Sequence, residues 1–157
     1  MDDSAGNRMA GPSRLPWPPM LVVVALLIGF GMQRLSPLPP PPVPVYVGGL
    51  LVALGIGIDL WVFWLFRQRK TNIMPTKPAE ALVTTGPFSW SRNPIYLANV
   101  LIIVGFIFVG QSWWFLIGAS LFVVLVTELQ IKKEEAHLAE KFGMEWQAYA
   151  AKTRRWI

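Results

Sequence analysis

The 157-residue chain contains no cysteine and only one histidine. Without thiols it can form no disulfide framework, no thiolate metal site and no cysteine nucleophile. Charged residues are scarce as well, at 15% of the chain, whereas soluble domains have roughly 25%. Hydrophobic residues make up 54%. This composition is typical of a membrane protein, and the length allows one helical bundle, so we expect a single domain over residues 1–157.

Four apolar stretches are candidate membrane spans. They cover about residues 15–33, 45–66, 95–109 and 113–127. The second ends in an aromatic cluster typical of a membrane interface, and the very short link between the third and fourth predicts an antiparallel hairpin. The first is the weakest, because its short apolar centre also fits a signal peptide. No small-residue cleavage site follows it, so we expect this span to be retained.

Lysine and arginine are distributed unevenly around these spans. With four spans, the N-terminus, the loop at 67–94 and the tail at 128–157 share one side, with two, five and six of the fourteen basic residues, and only Arg34 lies opposite. Because positive residues are retained in the cytoplasm, we expect both termini there, with the protein in a bacterial inner membrane. The net charge of +5 favours membrane lipids as partners, and no nucleic acid is expected.

The loop before the third span carries turn and helix-start signals. Residues 84–87 have turn composition, and Pro94 suits a first helical turn that Asn93 can cap. A helix N-terminus presents free N–H groups and a positive dipole end, which favour a carboxylate or another anion. An anion site is therefore one interpretation of this segment, and a simple helix start is the other.

After the fourth span, the pattern changes to that of an amphipathic helix. Leu138 and Phe142 lie on one face, and Glu134 lies one turn before Leu138 on that face, so its carboxylate should point toward the bundle. Glu135 is rotated by about 100°, a position compatible with a solvated carboxylate. The sequence thus predicts an all-α membrane protein of about four transmembrane helices and a C-terminal cytoplasmic amphipathic helix.

Two strings resemble those of a known family. They are Leu-Val-Thr-Thr-Gly-Pro-Phe with Ser-Arg-Asn-Pro-Ile-Tyr-Leu, within residues 82–97, and Glu-Glu-x-x-Leu-x-x-x-Phe-Gly-x-x-Trp-x-x-Tyr, at residues 134–149. Over about residues 71–157 the chain resembles the integral-membrane methyltransferases typified by isoprenylcysteine carboxyl methyltransferase and the phospholipid methyltransferases. The resemblance implies a cytoplasmic site for S-adenosylmethionine and transfer of its methyl group to a lipophilic or small membrane-accessible acceptor.

The resemblance also implies a set of cofactor-binding residues. They are Glu80, Ala81, Leu82, Val83, Phe88, Asn93, Pro94, Ile95, Tyr96 and Glu134. Asn93 stands where the family's Arg-His-Pro-x-Tyr motif has histidine, and an amide can form hydrogen bonds but cannot serve as a base. Gln130 stands where isoprenylcysteine methyltransferases carry an arginine for the substrate carboxylate, which argues against a prenylcysteine substrate.

Methyl transfer from a sulfonium needs mainly proximity, alignment and exclusion of water, so no metal site is expected. Arg92 or Arg154 would orient a carboxylate acceptor. For an amine or thiol acceptor, the available bases are Glu128, Glu135 and His137, although His137 is more typical of a surface residue. Arg92 and Glu135 are accordingly our candidate catalytic residues.

Other interpretations remain open. A non-enzymatic small membrane protein could keep the same helical framework, and a sterol-reductase-like enzyme would use NADPH, but such reductases are longer. Asp59 is an acidic residue inside an apolar stretch, where carboxylates are costly and often functional. A role in substrate entry is one hypothesis for it, and pairing at the interface is the other. The sequence does not predict an oligomeric state.

Overall fold

A computed structural model of the chain describes residues 17–69 and 81–157. Within these ranges the secondary structure is helical, without strands. The main helices are α1 (Trp17–Leu35), α2 (Val45–Gln68), α3 (Pro94–Val109), α4 (Trp114–Val126) and α5 (Lys132–Lys152). The predicted all-α fold, with four apolar helices and a polar C-terminal helix, is confirmed.

Three helical stretches of the described chain are long and apolar enough to cross a membrane: Pro18–Leu35, Val45–Gln68 and Trp114–Lys152. Helix α3 is apolar but has only 16 residues, which corresponds to about 24 Å at 1.5 Å per residue. The hydrocarbon core of a bilayer is about 30 Å thick. A helix of this length can cross the core only with both ends, including its start at Pro94, close to the membrane boundaries.

The fourth span and the C-terminal helix are continuous. A π-helical turn at Thr127–Ile131 joins α4 to α5, so that the helical backbone runs over 39 residues. At 1.5 Å per residue this is roughly 58 Å, about twice the thickness of the hydrocarbon core. The apolar helix α4 has only 13 residues, roughly 20 Å, so a span along this helix needs the π-helical turn as well, and the charged helix α5 follows the apolar stretch.

Helix α5 has a kink at Gly143. This residue has φ 49° and ψ −118°, a conformation that favours glycine because it has no Cβ. Beyond the kink, Trp146 and Tyr149 are buried, and the Tyr149 hydroxyl donates a hydrogen bond of 2.7 Å to the carbonyl oxygen of Phe88. The kink therefore brings the end of α5 onto the loop that precedes α3.

Small residues allow the spans to approach closely. A Cβ added to Gly55 would lie 2.7 Å from the Ala98 carbonyl oxygen of α3, and one added to Gly118 would lie 2.6 Å from the Ala25 carbonyl oxygen of α1. Helices α2 and α3, and likewise α1 and α4, are thus in backbone contact. A shared core cluster joins α1, α3, α4 and the π-helical turn, and it consists of Leu21, Ala25, Tyr96, Ile103, Ala119, Phe122, Val126 and Ile131.

The adjacent residues Gly48 and Gly49 provide a test of this packing. A Cβ at Gly48 would meet the carbonyl oxygen of Gly105, whereas a Cβ at Gly49 would meet nothing within 4 Å. We expect Gly48→Ala to destabilise the protein by about 1–3 kcal/mol through overpacking, and Gly49→Ala to be neutral or stabilising by up to about 1 kcal/mol. Thermal unfolding in detergent measures both, and equal melting temperatures would contradict the close contact of α2 with α3.

Candidate active site

The candidate site lies where the start of α3 meets the start of α5. The Tyr96 hydroxyl donates a hydrogen bond of 2.9 Å to Oε1 of Glu134, and Nε2 of Gln130 donates one of 2.7 Å to the same oxygen. Tyr96 and Gln130 are buried, and Glu134 as a residue is half-buried. The prediction that Glu134 points toward the bundle is correct, because its carboxylate reaches across to α3.

The environment of Glu134 makes ionisation of its carboxyl group less favourable than it is in water. Burial raises the pKa of Glu134 above that of an ordinary carboxyl, while the hydrogen bonds from Gln130 and Tyr96 act in the opposite direction and the charge of Glu135 adds to the increase. Both hydrogen-bond donors are uncharged. A ligand cation at this carboxylate would therefore supply charge compensation that these two donors do not provide.

Glu135 takes part in a second cluster next to the first. Its Oε1 lies 3.4 Å from a terminal nitrogen of Arg92, and its Oε2 lies 2.6 Å from a terminal nitrogen of Arg155. The Arg92 guanidinium also lies 5.7 Å from the centre of the Trp146 ring. Only 15% of the Glu135 side chain is exposed. A freely solvated Glu135, one of the two possibilities open from the sequence, is thus wrong, because two arginines enclose its carboxylate.

Residues 153–157, here called the C-terminal strap, pair with the segment that precedes α3. The Arg92 amide donates to the Arg154 carbonyl oxygen at 2.9 Å. The Arg155 carbonyl oxygen accepts from Ser91 Oγ at 3.3 Å and from Asn93 Nδ2 at 3.0 Å. The expected side-chain cap by Asn93 is therefore wrong: this residue precedes α3, but its side chain makes no capping hydrogen bond and binds the strap instead.

The apolar candidates line the loop before α3. Val83 and Pro94 are buried, Leu82 and Phe88 are half-buried and Ala81 is exposed. The Phe88 ring stacks on Phe66 of α2 with centroids 5.4 Å apart. These contacts hold an apolar, aromatic segment beside the start of α3. Ile95 instead packs against the core cluster, and Glu80 lies outside the described residues.

Within the described residues, the remaining polar candidates form no hydrogen bond or ion pair with the carboxylates of Glu134 and Glu135. Glu128 forms an exposed ion pair with Lys132, and Arg154 contributes its backbone while its side chain is exposed. His137 was expected at the surface but is half-buried, with Nε2 enclosed and without a partner among the described residues. Asp59 is half-buried, and its Oδ1 likewise has no partner within the described chain.

Two residues that contact the site carboxylates were not among the predicted site residues. Gln130 was noted only as a departure from a family position, yet it contacts Glu134 directly. Its spacing of four residues from Glu134 was a usable signal, since such residues share a helix face. Arg155 binds Glu135 from 20 residues away, and no local pattern indicates that contact.

The fold and site define a helical membrane protein with an enclosed carboxylate at the start of a short span. The phospholipid methyltransferase family matches residues 43–145, and the chain belongs to this family. An uncharacterised protein of Haemophilus influenzae is 36% identical over 64 residues, which are 40% of this chain and all of that protein. The cobalt-zinc-cadmium resistance protein CzcN of Cupriavidus metallidurans is 29% identical over 137 residues, 87% of this chain and 59% of CzcN. No solved structure matches.

The arginine pair around Glu135 predicts a specific loss of stability. Glu135→Gln removes the charge that separates Arg92 from Arg155, and we expect it to lower the free energy of unfolding by about 1–3 kcal/mol. Glu128→Gln breaks an exposed pair in the same helical stretch and should cost less than about 1 kcal/mol. Thermal unfolding measures stability, and hydrogen exchange of the Arg92 amide reports release of the C-terminal strap. Equal protection of this amide in both variants would contradict the role of Glu135.

Proposed function

We propose that this protein is an S-adenosylmethionine-dependent methyltransferase that acts on a lipophilic or small membrane-accessible acceptor. The observation that carries the proposal is the enclosed carboxylate of Glu134, held by Tyr96 at the start of α3, in a chain of the phospholipid methyltransferase family. The excess of basic residues on this side supports a cytoplasmic site.

The residues present fit this cofactor. The Glu134 carboxylate has neutral donors around it and suits the ammonium or sulfonium charge of S-adenosylmethionine. Val83 and the stacked pair of Phe66 and Phe88 provide the apolar and aromatic surface that an adenine ring favours. When bound, S-adenosylmethionine supplies a methyl group on a sulfur that is already an activated leaving group.

In the proposed reaction, the acceptor atom would take the methyl group, S-adenosylhomocysteine would leave, and an amine or thiol acceptor would also give up a proton to a base. The protein contributes proximity, alignment and exclusion of water. Arg92 remains our candidate for orienting the acceptor, because its Nε is enclosed and has no hydrogen-bond partner among the described residues. Glu135 remains a candidate base only if its ion pairs with Arg92 and Arg155 open, since both of its carboxylate oxygens face guanidinium groups in the structure.

The name of CzcN refers to metal resistance, but a metal-binding function is not proposed for this chain. The described residues contain no group of three or more His, Cys, Asp or Glu side chains that could hold a metal ion. The acceptor is instead expected to be a membrane-accessible organic molecule. Incubation with labelled S-adenosylmethionine and a lipid extract, followed by identification of the labelled product, would determine its class.

Calorimetric titration with S-adenosylmethionine and S-adenosylhomocysteine tests the proposal. We expect both to bind wild-type protein and Glu134→Gln to weaken binding at least tenfold, because a neutral amide cannot compensate a ligand cation. Glu140→Gln, at an exposed position of α5, is the matched control and should bind normally. Absence of binding by the wild-type protein, with NADPH titrated in parallel, would refute the proposal.

The raised pKa of Glu134 predicts how cofactor affinity depends on pH. Binding requires the ionised carboxylate, so affinity should fall as pH decreases, with a midpoint above the ordinary carboxyl value of about 4.3. The Tyr96 hydrogen bond lowers this pKa, so Tyr96→Phe should move the midpoint to higher pH. Calorimetry with S-adenosylhomocysteine between pH 4.5 and 8 at roughly half-unit steps measures both profiles. A profile that is flat across this range would contradict the role of Glu134.

A further inference from the structure

Gln130 is a fully enclosed polar side chain at the edge of the membrane span. Its exposed fraction is 0%, and it lies in the π-helical turn between α4 and α5. Turns of this kind occur often at functional sites. An amide in such a position needs partners for both its donor and its acceptor, because an unpartnered polar atom away from water costs free energy.

The two ends of this amide differ. Nε2 donates to Oε1 of Glu134, whereas Oε1 of Gln130 is enclosed and has no hydrogen-bond partner among the described residues. With Glu134 ionised, an amide rotated by 180° would place two acceptor oxygens against each other, so the assignment with Nε2 toward the carboxylate is the favourable one. An enclosed acceptor without a donor costs about 1–3 kcal/mol.

The position of this unpartnered oxygen indicates what would satisfy it. Nε2 of Gln130 lies 2.7 Å from the Glu134 carboxylate, and Oε1 is bonded to the same amide carbon, so the unpartnered oxygen and the carboxylate border one acceptor-rich site. A ligand group that serves both must carry several N–H donors and a positive charge. An ammonium group meets both requirements, whereas a carboxylate would be repelled by Glu134.

We propose that Gln130 is a positioning residue that orients Glu134 through Nε2 and accepts a hydrogen bond from a ligand ammonium group through Oε1. This inference rests on the proposed function and deepens it. The ammonium has two possible sources, the amino-acid end of S-adenosylmethionine and an amine acceptor. No covalent step involves Gln130, because its amide only binds and orients.

The neighbouring charges are compatible with this role. Tyr96 faces Glu134 from α3. Glu135 adds negative charge from α5, but its two arginine partners, Arg92 and Arg155, compensate it. The Glu134 carboxylate and the Gln130 carbonyl therefore remain the acceptors available to a cation.

The variant Gln130→Met tests both roles of Gln130, the orienting of Glu134 and the binding of the ammonium group. It keeps the side-chain length and removes the donor and the acceptor. One arm compares, by calorimetry, the affinity for S-adenosylhomocysteine with that for its deamino analogue. The other compares the affinity for dodecylamine with that for dodecanol in detergent micelles. If the ammonium belongs to the cofactor, the variant should lose at least tenfold of the preference for the amino compound over the deamino compound. If it belongs to the acceptor, the preference for dodecylamine over dodecanol should be lost instead.

Further measurements separate positioning from folding. Gln147→Met, at an exposed position of α5, is the matched control and should retain both preferences. Because Gln130 Nε2 lowers the pKa of Glu134, Gln130→Met should also shift the pH midpoint of S-adenosylhomocysteine binding upward. Gln130→Asn keeps an amide but is one methylene shorter, so it should withdraw both groups from Glu134 and the ligand and lower the ammonium preference, and it tests the inference if Gln130→Met fails to fold.

The outcomes distinguish this inference from the function on which it rests. Wild-type protein that binds neither S-adenosylhomocysteine nor S-adenosylmethionine would refute the proposed function. Wild-type protein that binds them, with both ammonium preferences unchanged in folded Gln130→Met, would overturn the role of Gln130 alone. Loss of either preference supports the inference and identifies the source of the ammonium group.

Discussion

The hydrogen bond between Tyr96 and Glu134 connects the bundle of apolar helices to the charged helix α5. Tyr96 belongs to the core cluster shared by the apolar helices, whereas Glu134 belongs to the charged helix α5. A carboxylate removed from water is costly unless it is well compensated. The hydrogen bond from Tyr96 to this carboxylate ties the start of α5 to the start of α3. The same contact also leaves a negative group where a cationic ligand could approach the bundle.

Two departures from regular helix geometry make the rest of the site possible. The π-helical turn at Thr127–Ile131 places an enclosed amide beside the carboxylate without ending the helix. The kink at Gly143 then returns the chain to the loop before α3, where Tyr149 binds a backbone carbonyl. Because the C-terminal strap follows this second helical segment, it can reach Arg92 and Asn93. The site is therefore closed by residues from the far end of the chain.

The apolar spans and the inward position of Glu134 could be predicted because both follow from local periodicity. Residues four apart share a helix face wherever the helix forms. The environment of Glu135 could not be predicted from the sequence, because it depends on Arg155. This residue is distant along the chain and reaches Glu135 only after the kink. Asn93 shows the same limit: its cap prediction rested on local preference, yet its Nδ2 donates to a strap carbonyl and its side chain makes no capping hydrogen bond. Long-range contacts decided both cases.

The two clusters differ in how they compensate negative charge, and this difference suggests a division of roles. Glu135 has two cationic partners, so its charge is already balanced within the protein and its main effect is to hold the loop and the strap. Glu134 has two neutral donors, which orient the carboxylate but leave its charge uncompensated. A charge left in this condition favours a cationic ligand over a neutral one. Under the proposed function, Glu135 is a structural carboxylate and Glu134 a ligand-binding one, at consecutive positions of one helix.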